Sequence, residues 1–189
     1  MKHERNIRAE KRPAWRLKKT LARQVSFRPI EREDLRYVWA AYKKGALASM
    51  GEKFAGGEMD RDAFVDAIEA EIQVNYHGAW TLFADAPRRG VMPVGLVLGF
   101  YSHPNPALAP FMIVGDMVWF PWASPRNRVE SAVNFFRTIH AQVPMVEYAR
   151  EPHRRFFEMI AKHGVMRRVG TSFNVYPGEA TAVFETRSV

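Results

Sequence analysis

Arg126 and Arg128, at the start of a helical pattern, and Asp116, set inside an apolar run just before it, are the residues whose types and spacing point to chemistry. They belong to the stretch Val114 to Ile139, VGDMVWFPWASPRNRVESAVNFFRTI, which reads as a strand that breaks at Pro121, crosses a polar turn and re-emerges as an amphipathic helix. Ser124 can cap that helix with Pro125 at its first position, or Asn127 can cap it with Glu130 three residues on. Either choice points a helix N-terminus, with its uncommitted N–H groups and positive dipole end, at the end of a strand. Such a terminus suits an anion, and phosphate is the guest that two flanking arginines would favour. The plainer alternative is an ordinary strand-to-helix turn with solvated arginines. Asp116 needs a reason to sit in so apolar a strand, either an arginine partner or a working role.

The elements that must position these residues follow in order. Val25 to Pro29 reads as a short strand, and Leu35, Val38, Trp39 and Tyr42 mark one face of a helix from about 31 to 44. A glycine-rich connection, Gly45 to Gly57, leads to a second helix beginning near Asp60, with Phe64, Ala67, Ile68 and Ile72 inward. Residues 78–85 and 93–102 read as two strands joined by a turn holding Pro87 and Gly90; the second is apolar on both faces and belongs in the middle of a sheet. The loop 103–111 contains three prolines and cannot be regular. After it come the strand 112–120 and the central helix, with Val129, Ala132, Val133, Phe136 and Ile139 inward. Pro144 to Arg150 is a fifth strand, and Pro152 opens a helix through Lys162, with Phe156, Phe157 and Ile160 inward, that ends at His163 and Gly164. Two strands, 166–176 and 179–187, close the chain across the turn Tyr176-Pro177-Gly178-Glu179. Trp119, Phe120 and Trp122 read most simply as core packing, with stacking on an adenine as the alternative.

Charge divides the chain. Residues 1–24 hold nine Lys or Arg against Glu4 and Glu10, a net of +7, whereas the other 165 residues hold nineteen basic and eighteen acidic groups, a net of +1. The sequence is therefore read as a basic arm, 1–24, and one domain, 25–189. Arg12, Trp15, Arg16, Lys18 and Lys19 are the arm residues expected to grip an acidic partner, nucleic acid or protein, because Trp15 is a costly residue to leave in water; a solubilising tail is the alternative. There is no cysteine, so disulfides, thiolate nucleophiles and zinc–sulfur sites are excluded. The six histidines form no HExxH or other close ligand pair, so no metal is expected, and no serine sits in a nucleophile elbow. No run reaches the length of a membrane span, and the N-terminus lacks the apolar core of a secretory signal. The expected location is the cytoplasm.

The order β-α-α-β-β-β-α-β-α-β-β resembles the GNAT superfamily of N-acetyltransferases. SFRPIEREDLRYVWAAYKKG is similar to that family's first strand and helix, PVGLVLGFYS to its third strand, and EPHRRFFEMIAKHGVMRRVG to its final helix with the following glycine. The likeness covers about residues 25–187. It implies an α/β (α+β) fold: a mixed, mostly antiparallel twisted sheet of about seven strands flanked by four helices. It also implies acetyl-CoA, lying along Val118 and Phe120 and over a turn formed by Arg126, Asn127, Arg128, Val129 and Ser131, with Asp116, or less readily Glu147 on the next strand, as the base that deprotonates an amine. The closing helix, HG turn and hairpin most resemble small acetyltransferase-like proteins encoded among the internal virion genes of podophages.

The departures from the family pattern matter more than the matches. Active members cradle pyrophosphate in a Q/R-x-x-G-x-G/A loop, because glycines let the backbone approach the phosphates. Aligning Arg126 first puts Val129 and Ser131 where the glycines belong; aligning Ser124 first puts Asn127 and Val129 there. The tyrosine that protonates the leaving thiolate is replaced by Ile160, unless Tyr148 or Tyr101 serves instead. Two expectations follow. One is a GNAT-fold protein without chemistry, acting as a structural or internal component of a phage particle or of its assembly and held by its basic arm. The other is an acetyl-CoA-dependent N-acetyltransferase acting on an amine.

Overall fold

The structure, a computed structural model, describes residues 27–43, 60–86, 90–151, 153–176 and 178–187. The expected arm, its gripping residues Arg12, Trp15, Arg16, Lys18 and Lys19, and the glycine-rich connection lie outside the described residues. Seven strands and four helices run in the order β1 (Phe27–Pro29), α1 (Arg32–Lys43), α2 (Arg61–Asn75), β2 (Gly78–Ala86), β3 (Gly90–Tyr101), β4 (Met112–Trp119), α3 (Pro125–Ile139), β5 (Met145–Ala149), α4 (His153–Lys162), β6 (Met166–Tyr176) and β7 (Glu179–Thr186). A single 3-10 turn, Pro106–Leu108, interrupts the proline-rich loop. This is the architecture that the sequence predicts. No helix among the described residues is long and apolar enough to cross a membrane.

The strands form one sheet in the order β1-β2-β3-β4-β5-β7-β6. All neighbours are antiparallel except β4 and β5, which the α3 crossover makes parallel. β3 is central and is buried continuously from Met92 to Gly99, as its two-faced apolar sequence requires.

Each face of the sheet carries its own core. On one, Phe135, Phe136 and Ile139 of α3 and Phe157 and Ile160 of α4 meet Val97, Met145 and Phe184. On the other, Leu35, Val38 and Ala41 of α1 and Phe64, Val65 and Ile68 of α2 meet Leu96, Val118 and Phe120. Val65 takes the inward place predicted for Ala67, which is half-buried like Ile72, because the buried stripe of α2 runs through Phe64, Val65 and Ile68. α1 and α2 are also tied at the surface, where Arg32 pairs with Asp66 and Glu69.

The helix ends obey their local sequence. Asp60 caps α2 by accepting from Ala63 N at 2.8 Å, and Ser124 caps α3 by accepting from Asn127 N at 3.1 Å, with Pro125 at the first position. Of the two capping schemes the sequence offers for α3, the serine wins; Glu130 pairs instead with Arg126, one turn before it. Gly164 closes α4 with a φ of 80°, a conformation that a side chain disfavours.

Candidate active site between the diverging strands

β4 and β5 begin side by side, Met112 with Met145 and Ile113 with Val146, and their ladder stops there. β4 stays on β3 as far as Trp119, so the two parallel strands part beyond Ile113 and leave a gap in the middle of the sheet. The bend has a local cause. Gly99 pairs with Val114 and Leu98 with Asp116, which makes Gly115 the extra residue of a β-bulge. A Cβ at Gly115 would lie 2.8 Å from Cε1 of Tyr76 and 3.1 Å from the Phe100 ring, so only glycine lets these rings close over the bulge.

Tyr76 is the residue that α2 contributes to the site. Its N–H donates to the Ile72 carbonyl at 3.1 Å to end the helix, and its phenol donates to Asp116 Oδ2 at 2.5 Å. Burial, followed by that hydrogen bond, holds the phenol well above its ordinary pKa, so Tyr76 stays a proton donor to Asp116 across the neutral range. Asp116 sits across from Leu98, two residues along from the pair Leu96 and Val118, on the face covered by α1 and α2.

Glu147, the other predicted carboxylate, approaches from the other side. It lies opposite Phe184, between Met145 and Ala149, on the face covered by α3 and α4. The sequence treats the two acids as alternatives for one role, and the structure sets them on opposite faces of the sheet beside one gap. Burial pushes the Glu147 carboxyl up to about 8, and the charge of Asp116 adds to the shift. Tyr176, at the end of β6, is raised by burial first and then by the charge of Glu147, with a smaller contribution from Asp116. Arg150 stacks over the Tyr176 ring at 4.6 Å and pairs with Glu179 at 3.1 Å, closing this side. A buried acid near neutrality, a second carboxylate held by a phenol, and a gap between them form an arrangement able to accept a proton. Of the two tyrosines offered as substitutes for the missing acid, Tyr148 follows Glu147 on β5 and turns to the opposite face, while Tyr101 ends β3 with its ring against His77.

The turn expected to hold phosphate is largely satisfied by its own residues. Asn127 N–H is taken by Ser124 Oγ, Ala123 N–H by the Phe120 carbonyl at 2.9 Å, and Pro125 has none. Ser131 is buried and donates to the Asn127 carbonyl at 2.7 Å, so its hydroxyl turns into the helix and away from any phosphate. Arg126 faces solvent, paired with Glu130, and Arg128 Nε donates to the Ala123 carbonyl at 3.0 Å. Val129 packs against the α3 and α4 core. Val118 and Phe120, the strand residues assigned to cofactor, have side chains buried in the core under α1 and α2. Trp122 Nε1 donates to the Pro93 carbonyl at 2.7 Å and its ring meets Tyr37 and Phe120, so the aromatic cluster is core.

Sequence reasoning misses Tyr76, Tyr176 and Arg150. Tyr76 lies 40 residues from Asp116 and sits where a helix simply stops, and Tyr176 reads only as the first residue of a turn. Neither has a local pattern that announces a partner.

No family model matches the sequence, and no curated protein matches it. Solved structures do match in fold. A GNAT-family acetyltransferase from Bacillus anthracis aligns over 84% of this chain and 92% of its own, with a TM-score of 0.56 and 12% identity. A ribosomal-protein-alanine N-acetyltransferase from Brucella melitensis aligns over 87% and 100%, with a TM-score of 0.54 and 11% identity. A GNAT-family acetyltransferase from Bacillus cereus ATCC 10987 aligns over 86% and 96%, with a TM-score of 0.53 and 10% identity. The fold is that of the GNAT N-acetyltransferases, and identities this low carry the fold alone.

Proposed function

We propose that this chain is a GNAT-fold protein that has given up acetyl transfer and works as a structural or internal component of a phage particle or of its assembly, attached through residues 1–24. The observation that carries the loss of transfer is the start of α3. Its capping serine takes the Asn127 N–H, its proline supplies none, Ser131 turns its hydroxyl into the helix, and no glycine opens the backbone. The residues present do not fit acetyl-CoA. The attachment rests on the net +7 of the arm against a nearly neutral remainder, and the particle on the sequence likeness of the closing helix and hairpin.

Calorimetric titration of the full chain with acetyl-CoA tests the first part. No saturable binding in the micromolar range is expected, whereas a micromolar site that discriminates acetyl-CoA from ATP would overturn the reading. Val129→Gly with Ser131→Gly should strengthen binding if those side chains alone close the cradle. Retention of nucleic acid and of virion proteins at low and moderate salt tests the second part. Binding through phosphates should fall log-linearly with salt, and a protein partner gripped through Trp15 should hold.

A second reading, an active acetyl-CoA-dependent N-acetyltransferase, is favoured by one specific feature, the acids Asp116 and Glu147 with Tyr76 beside the gap between β4 and β5. In that reading Asp116 takes the proton of the amine, or Glu147 does so only above about pH 8, where it is ionised, and Asp116→Asn abolishes turnover while leaving the fold intact.

A further inference from the structure

Charge is divided a second time, within residues 25–189. Residues 150–187 hold seven Lys or Arg against four carboxylates, whereas residues 25–149 hold twelve against fourteen, so the positive charge gathers on α4 and the closing hairpin. The four acids there are already engaged: Arg154 pairs with Glu151 and Glu158, Arg150 with Glu179, and Arg167 with Glu185. Arg155, Lys162, Arg168 and Arg187 are exposed and pair with no carboxylate among the described residues. Arg168 donates to Thr171 Oγ1 at 3.3 Å and Arg187 Nε to the Gly164 carbonyl at 2.7 Å, neutral acceptors that leave both charges uncompensated. The fold brings these cations together. Arg155 and Lys162 share the outer stripe of α4 with Met159, opposite the buried Phe157 and Ile160. The turn at Gly164 folds β6 back along the helix, and Arg168, opposite Phe184, falls on the face of the sheet that α3 and α4 cover. Glu158 registers the result: its hydrogen bond to Arg154 first, and then the charges of Arg168 and Lys162, hold its carboxyl below its ordinary value. Phe173 follows along the same strand with its ring 70% exposed, and the Arg150–Tyr176 stack stands at the far end.

We propose that this face of α4 and β6 binds single-stranded nucleic acid, with Arg155, Lys162, Arg168 and Arg187 on the phosphates and Phe173 stacked on a base. Both halves of the surface argue for that partner. From Arg168 to Tyr176 the strand extends about 25 Å, at about 3.3 Å per residue. Cations without carboxylates along such a strand match a polyanion whose charge repeats along its length better than a compact anion. An aromatic ring held in water beside them is what an unpaired base covers, because every base has a π-face and stacking asks for no particular sequence. A duplex keeps its bases stacked on one another and offers Phe173 nothing. An acidic protein segment would answer the cations and leave the ring uncovered. The surface belongs to the folded domain, and it depends neither on residues 1–24 nor on the loss of acetyl transfer.

Fluorescence anisotropy of the full-length protein with a labelled oligothymidylate tests this, and residues 1–24 stay in every variant so that only the contribution of the α4–β6 face changes. Arg155→Ala with Lys162→Ala and Arg168→Ala should reduce the slope of log affinity against log salt by about 2, since each phosphate contact on a single strand contributes about 0.7. Phe173→Ala should weaken binding of the single strand at least about fivefold and leave binding of a duplex of the same length unchanged, while Phe173→Tyr, which keeps a stacking face, should bind like the wild type. Arg137→Ala, which removes an exposed cation of α3, should change neither affinity nor slope. All these positions are exposed, so the circular dichroism should not move; if the triple variant folds poorly, Phe173→Ala against Phe173→Tyr still decides the matter. An absence of binding, a salt slope indifferent to the triple variant, or an affinity indifferent to Phe173→Ala would overturn the proposal. So would a Phe173→Ala loss that is equal for single strand and duplex, or equal for the oligothymidylate and labelled polyglutamate.

Discussion

Glu147→Gln is expected to leave stability unchanged near pH 4 and to raise it increasingly from there to pH 8. The carboxyl is pushed up to about 8 in the folded protein by burial and by Asp116, from an ordinary value of 4.5. Below 4.5 both folded and unfolded chains hold the proton, and the group costs nothing. Between 4.5 and 8 the unfolded chain releases the proton while the folded one keeps it, so wild-type stability falls as pH rises through that window and levels off above it. The full loss is on the order of a few kcal/mol, since each pH unit corresponds to about 1.4 kcal/mol. Glutamine matches the protonated acid in shape and never ionises, so the variant escapes the loss. The charged or titratable neighbours are Asp116 on β4, Tyr176 on β6, and Arg150 with Glu179 beside that tyrosine. Asp116→Asn should narrow the window from its upper end. Thermal denaturation of both variants and the wild type from pH 4 to 9 checks this; parallel profiles would mean that Glu147 is well solvated.

Asp34→Ala should be among the most damaging single changes outside the gap, at about 3 kcal/mol, the low end of the range for removing one partner from a buried ion pair, since Arg28 keeps some contact with water. Asp34 is 3% exposed and stands in the first turn of α1, where a negative charge suits the helix dipole. It accepts from Arg28 at 2.9 and 3.0 Å, from Glu31 N–H at 3.0 Å and from the buried hydroxyl of Thr81 at 2.7 Å. One side chain thus joins β1, α1 and β2. Alanine would strand the Thr81 hydroxyl without an acceptor and release Arg28 from its place over the Phe83 ring. Against a total stability of about 5 to 15 kcal/mol for a domain, that loss should appear as a large fall in the urea midpoint with an unchanged slope. A shift within ordinary surface-mutation range would show that water replaces the network.

The sequence by itself determined the elements, because each rests on a short-range rule. The period of Leu35, Val38, Trp39 and Tyr42 makes α1, the two-faced apolar run makes β3 central, Ser124 with Pro125 starts α3, and Gly164 stops α4. The order of those elements also carried the fold. Two residues of the gap were legible for the same reason, since an acid in an apolar strand is visible without coordinates. Only the tertiary structure decided what those acids face. Asp116 meets Tyr76 because a bulge at Gly115 bends β4 beneath the end of α2, and Glu147 turns to the other face because its register against β7 sets it opposite Phe184. The burial of Asp34 was likewise invisible, because its partners Arg28 and Thr81 come from two different strands. Ser131 and Val129 changed meaning too, from phosphate neighbours to interior groups, once the rotation of α3 on the sheet was fixed. A local pattern fixes which atoms a segment offers; bulges, strand register and helix rotation, each set by contacts between residues distant in the chain, decide which of those atoms meet.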